Sequence, residues 1–203
     1  LEAAVLLDWT EEYLRRLEGG VYAVDSLRPE RAPCTRGISL FPTVGQEVSR
    51  AVVSGVEVVG SCVYMPEHAQ GWSYSIALRL TGTAEERGFG TCQLQSRHWV
   101  IQEDEREPEH VRGEGVIGLF PILTDTGWLL NEESDPHRQY SESAECELPS
   151  PFRYLSCASR SASMRGSFGG DITFVPGTIR NAAGPPFDVR LPPFRLCIPE
   201  YFF

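Results

Sequence analysis

The nine residues from Trp72 to Leu80, WSYSIALRL, alternate without a break. Trp72, Tyr74, Ile76, Leu78 and Leu80 fall on one side, and Ser73, Ser75, Ala77 and Arg79 on the other. A period of two sends successive side chains to opposite faces of a strand, so this stretch reads as a half-buried antiparallel strand with one face on a core. Around it, VVSGVEVVGSCVYM is β-rich up to Pro66, and CQLQSRHWVI predicts a strand over 92–101. PFRYLSC, SMRGSFGGDITFV and PFDVRLPPFRL predict further short strands, and 19 glycines and 15 prolines punctuate the chain. Many short strands with such turns predict an all-β antiparallel sandwich or barrel. Trp72, Tyr74, Ile76, Leu78, Trp99, Phe168, Phe187 and Val189 are its expected core.

The N-terminus has a different period. Leu6, Trp9, Tyr13 and Leu17 share one stripe at helical spacing, and Gly19-Gly20 supplies a stop. Residues 1–35 therefore read as a helix and linker, and residues 36–203 as the β domain. Within that domain, residues 131–151 are acidic, polar and poor in aliphatics, the pattern of a long surface loop.

Charge and chemistry narrow the function. A formal net charge of -10 repels phosphate backbones, so nucleic acid is excluded as a partner. No apolar run approaches the ~20 residues of a membrane helix. The chain opens on Leu1 rather than Met and is read as part of a longer protein. Its six cysteines lack C-x-x-C spacing and read as free thiols, consistent with the cytoplasm or nucleus. The four histidines, His68, His98, His110 and His137, form no metal-ligand pair, so no metal site is expected. No carboxylate pair or nucleophile elbow stands out, and no catalytic residue is assigned. All 18 basic residues are arginine.

GEGVIG, residues 113–118, has the Gly113-x-Gly115-x-x-Gly118 spacing of a dinucleotide-binding turn. That turn must open a helix whose N-terminus receives the pyrophosphate. Here Pro121 follows within three residues, Phe120 before it is pushed toward extended backbone, and Val116 and Ile117 are β-branched. The glycines are therefore expected in a tight turn or bulge between strands, with no cofactor. In an alternative reading Arg97, Arg112 and Arg165, with Gly113, Gly115 and Gly118, clamp a small anion or nucleotide.

Taken in order, SRHWVI (96–101), VRGEGVIGLFP (111–121), YLSC (154–157), MRGSF (164–168) and FDVRLPPFRL (187–196) resemble the ApaG domain over about residues 36–198. The resemblance implies a sandwich of the fibronectin-III or immunoglobulin type, with the glycine-rich stretch between strands. The preceding helix, LLDWTEEYLRRLEGGVYAV, is most similar to the segment ahead of the C-terminal ApaG domain in eukaryotic F-box proteins. Stand-alone bacterial relatives lack it. This implies a non-catalytic protein-binding module on the substrate side of a Skp1–cullin ubiquitin ligase, joined to Skp1 through an upstream F-box. A structural subunit of a larger assembly, making contact through the acidic loop, is a further alternative.

Overall fold

The computed structural model describes residues 2–26, 36–103, 106–130, 151–158 and 165–201. Helix α1 (Glu2–Glu18) leads into β1 (Val24–Ser26) and β2 (Arg36–Ile38). Then come β3 (Val48–Val53), β4 (Val56–Tyr64), β5 (Trp72–Leu80), a short α2 (Ala84–Arg87), β6 (Cys92–Glu103) and β7 (Glu109–Glu114). β8 (Ile122–Thr124), β9 (Gly127–Leu129), β10 (Phe152–Ala158), β11 (Arg165–Pro176) and β12 (Phe187–Cys197) complete the described elements. One sheet has the order β10-β5-β4-β3. A second, six-stranded sheet has the order β12-β11-β6-β8-β9, with β7 also paired to β6, and β1 and β2 form a small separate sheet. Every pairing is antiparallel.

The two sheets face each other over a single core. Tyr74 of β5 meets Phe168 of β11 with ring centroids 4.5 Å apart, and Phe168 in turn meets Trp99 at 5.1 Å and Phe194 at 5.2 Å. The expected core residues are buried, except that Phe187 is only partly covered at the rim. Pro192 and Pro193 cannot donate to a ladder, and β12, which carries them, is an edge strand. The β11–β12 register shifts between Phe168 and Gly170 to accommodate them. Ser54 and Gly55 join β3 to β4 at φ 48° and 71°, as a two-residue hairpin of the type that matches strand twist.

A short second helix lies between two strands: Thr83 caps α2 in a capping box with Glu86, and left-handed Gly88 ends it. The Thr83-x-x-Glu86 signal was legible but lay between two strands. On α1, Leu6 is 63% exposed instead of joining the stripe. Trp9 and Tyr13 do hold that stripe, stacking at 5.6 Å, and Tyr13 meets Tyr22 at 6.0 Å. β1 and β2, on either side of position 35, pair with one another. Of the acidic segment 131–151, only Pro151 lies within the described residues. Cys62, Cys92, Cys157 and Cys197 are free thiols. Among the described residues, no helix is long and apolar enough to cross a membrane.

Candidate functional site

The glycine stretch folds as a tight turn after β7. Val116 and Leu119 bridge across it, each amide donating to the other's carbonyl, at 2.9 and 2.8 Å. Ile117 and Gly118 form the corner at φ 46° and 81°, so Ile117 is not in the extended backbone its branching favours. Gly115 has φ 59°, and a β-carbon there would come within 2.6 Å of the Leu119 carbonyl oxygen. Gly113 makes room for Arg97, whose Nη1 lies 2.7 Å from where a β-carbon would stand. No helix follows: the chain continues through Pro121 into β8. These glycines serve a strand turn and the close approach of a side chain.

A bulge aims Arg97. The β6–β11 register passes from Ser96↔Thr173 to Leu94↔Phe174, leaving Gln95 as the extra residue. Arg97 then shares the inward side with Trp99, and its guanidinium donates to the Gly115 carbonyl at 2.8 Å. Its charge also acts on the Tyr74 and Tyr154 hydroxyls, though burial dominates there and raises both phenols. The remaining residues of the anion reading lie elsewhere. Arg112 is in register with His98, one position from the Arg97–Gly113 pair, and so projects from the opposite face. Arg165 pairs with Cys197 near one end of β11, while Arg97 pairs with Ile172. Seven residues of strand separate them, roughly 23 Å at the ordinary rise. Arg97, Gly113, Gly115 and Gly118 are brought together, but Arg112 and Arg165 are not brought to them.

Two groupings escaped the linear sequence. On the face shared with Arg112, His98 Nε2 and His110 Nδ1 are 2.9 Å apart, and the rings stack at 5.1 Å. Partial burial, then the Arg112 and His110 charges, lower the proton affinity of His98 against the pull of Asp171. The second grouping lies on the outer face of the four-stranded sheet. Arg50 of β3 and Arg79 of β5 converge on Glu57 of β4, a side chain only 3% exposed. Arg153 of β10 donates to Ser75 Oγ at 3.0 Å. Arg50, Glu57, Arg79 and Arg153, together with Phe41, Pro42 and Thr43, line a cavity of about 280 Å³. Arg79 was already assigned to the outward side of its alternation. The missing information was strand register, which sets Glu57 opposite Arg79.

Comparison with known proteins places this geometry in context. Residues 64–127 match the family described as the ApaG domain. The chain is 33% identical over 209 residues to the F-box protein SKIP16 of Arabidopsis thaliana, a match covering 98% of this chain. The chain spans 42% of that relative's length. It is 30% identical over 136 residues to protein ApaG of Pseudomonas paraeruginosa, covering 67% of this chain and 85% of that protein. Among solved structures, an ApaA protein from Bordetella pertussis matches with a TM-score of 0.50 and 24% identity, covering 72% of this chain and 95% of that one. At that identity the likeness concerns the fold.

Proposed function

The chain belongs to the ApaG family, and on that premise we propose that it is a protein-binding module without catalysis of its own, the substrate-recognition part of an F-box adaptor in a Skp1–cullin ubiquitin ligase. The observation that carries this reading is the extent of similarity. The match to the F-box relative covers 98% of the chain and so includes α1, whereas the match to the bacterial ApaG protein covers 67%. α1 suits a junction between domains. Its Val5, Leu6, Leu7 and Leu14 are each more than half exposed, while Trp9 and Tyr13 turn toward Tyr22. Exposed apolar side chains grouped on one element mark a surface that another body covers. The adaptor would act in the cytoplasm or nucleus.

The test uses the full-length protein that contains this chain. Mixed with purified Skp1 and cullin, it should co-elute with them in size-exclusion chromatography, and residues 1–203 alone should not. Failure of the full-length protein to bind Skp1 would remove the ligase reading.

A further inference from the structure

Helix α1 has two apolar sides. Trp9, Tyr13 and Arg16 hold the side turned toward the domain: Trp9 stacks on Tyr13, Tyr13 meets Tyr22, and the Arg16 guanidinium donates to the Tyr22 hydroxyl at 3.4 Å. Leu7 and Leu14 lie about 140–160° around the helix from Trp9, and so on the far side. Leu7, Thr10, Leu14 and Leu17 follow one another at steps of three, four and three residues, the a/d repeat of a helix-packing seam. Leu7 and Leu14 are more than half exposed, as is Leu6 beside them. Thr10 donates its hydroxyl to the Leu6 carbonyl at 2.7 Å, which leaves its methyl group to the seam.

One edge of this seam is acidic. Glu11 and Glu18 stand four residues after Leu7 and Leu14, both exposed, and neither is in an ion pair among the described residues. Glu12, off the seam, takes both Arg15 and Arg16. The cations of α1 are thus engaged away from the seam, and its flanking carboxylates are open to an outside partner. Charges at the flanks of such a seam choose the partner and its orientation. A second copy of this chain fits poorly. Antiparallel, the acidic edge would face itself. Parallel, it would face the edge that carries Tyr13, which is already packed against Tyr22.

We infer that this seam seats one amphipathic helix supplied by the remainder of the full-length adaptor, apolar along its own seam and basic along the flank that meets Glu11 and Glu18. The inference rests on the adaptor reading, in which α1 is a junction, and names the chemistry of what fills that junction. Apolar contact at Leu7 and Leu14 holds the helix, and the two carboxylates set which edge of it faces them.

The two leucines lie outside the sandwich core, so Leu7→Gln combined with Leu14→Gln should leave the thermal melt of residues 1–203 unchanged. In the full-length protein, amide hydrogen exchange over residues 7–18 should be about tenfold slower than in residues 1–203 alone. The double leucine variant of the full-length protein should return to the exchange rate of the shorter chain. Glu11→Lys combined with Glu18→Lys should speed exchange several-fold, and high salt should reduce the difference between this variant and the parent. Slow exchange that survives the leucine substitutions would come from the continued chain at the helix end and would overturn the inference. Equal exchange in the two chains, or indifference to the glutamate substitutions, would overturn it as well. A dimer of residues 1–203 in sedimentation, abolished by the leucine substitutions, would give the seam to a second copy instead. Skp1 binding by the full-length protein is read separately: if it holds while the exchange results fail, the ligase reading stands without this seat.

Discussion

Arg97 lies in register with Gly113 across β6 and β7, and its guanidinium fills the space that a side chain on residue 113 would need. The obstruction is the flexible tip of an arginine, which can yield. At Gly115 the obstruction is the Leu119 backbone carbonyl, and φ is 59°. Gly113→Ala should therefore cost about 1 kcal/mol and Gly115→Ala about 2–3 kcal/mol. Urea denaturation ranks the two, and a larger loss at Gly113 would mean that Arg97 cannot move. Calorimetric titration of the parent with NAD, FAD and ATP should show no saturable heat at sub-millimolar concentration, since no helix follows Gly118. A tight site abolished by Gly115→Asp would restore the nucleotide reading.

Ile117 is 56% exposed and sits at φ 46°, where a β-branched residue is strained. Asparagine tolerates this region far better. Ile117→Asn should raise stability by about 1 kcal/mol, visible as a higher urea midpoint at unchanged slope. An unchanged or lower midpoint would show that the side chain stabilises the turn through contacts that outweigh its strain.

Phe168 touches Tyr74 of the facing sheet and Trp99 and Phe194 of its own. Truncation to alanine should cost roughly 3–5 kcal/mol. Tyr154 behaves differently. Its buried hydroxyl has the Trp99 indole N–H as its hydrogen-bonding neighbour among the described residues. Tyr154→Phe would leave that buried N–H unpaired, so it should cost about 1 kcal/mol. A neutral or stabilised variant would show that the indole and the hydroxyl are not paired.

The sandwich was legible because its strands obey simple rules. Trp72–Leu80 alternates cleanly, and Pro192-Pro193 marks β12 as an edge. Features that depend on register or on a remote segment were hidden. The extra residue Gln95 inverts the inward and outward positions within β6, so counting by twos from Leu94 misplaces Trp99. Glu57 is outward-facing yet buried, because its neighbours on β3 and β5 cover it. His98 and His110 are twelve residues apart in sequence, and only the β6–β7 pairing makes them neighbours. Arg87 stands beside turn residues and reads as surface, but its side chain is 1% exposed. It donates to the Thr81 and Gly82 carbonyls at 3.0 and 2.7 Å and pairs with Asp125.

Alkaline pH should unfold the domain through its buried acids. Burial pushes the Cys92 thiol from 9.0 up to about 12, and it raises Cys62, Tyr74 and Tyr154 as well. A folded-state value above the unfolded one means that the unfolded chain loses its protons first. The contribution is therefore complete below the unfolded value and is lost as pH rises through the folded one. For Cys92 that window runs from pH 9.0 to about 12. Each such group steepens the fall by up to about 1.4 kcal/mol per pH unit. Urea midpoints measured upward from pH 8 should decline, and Cys92→Ala should flatten the decline. An unaltered slope in that variant would exclude Cys92 as a contributor.

The absence of lysine joins the composition to the proposed ligase role. A domain tethered beside a ubiquitin-charged enzyme meets that enzyme at high effective concentration. Ubiquitin is passed to a lysine amine, whereas a guanidinium stays protonated and is a poor nucleophile. With every one of its 18 basic residues an arginine, the chain keeps its positive charges and offers no lysine side chain to its own ligase. Arg106 and Arg190 are exposed and suit the test. Arg87 does not, because an ammonium cannot reproduce the forked contacts its guanidinium makes; Arg87→Lys should cost about 1–3 kcal/mol. In a reconstituted ligase with the full-length adaptor, Arg106→Lys and Arg190→Lys should acquire ubiquitin at the new residue. In cells these variants should turn over faster than the parent, with unchanged melting temperatures. Equal modification and equal lifetime would leave codon usage as the explanation for the missing lysines. Modification of the Arg87→Lys variant alone would trace to local unfolding, since the new amine would otherwise be buried.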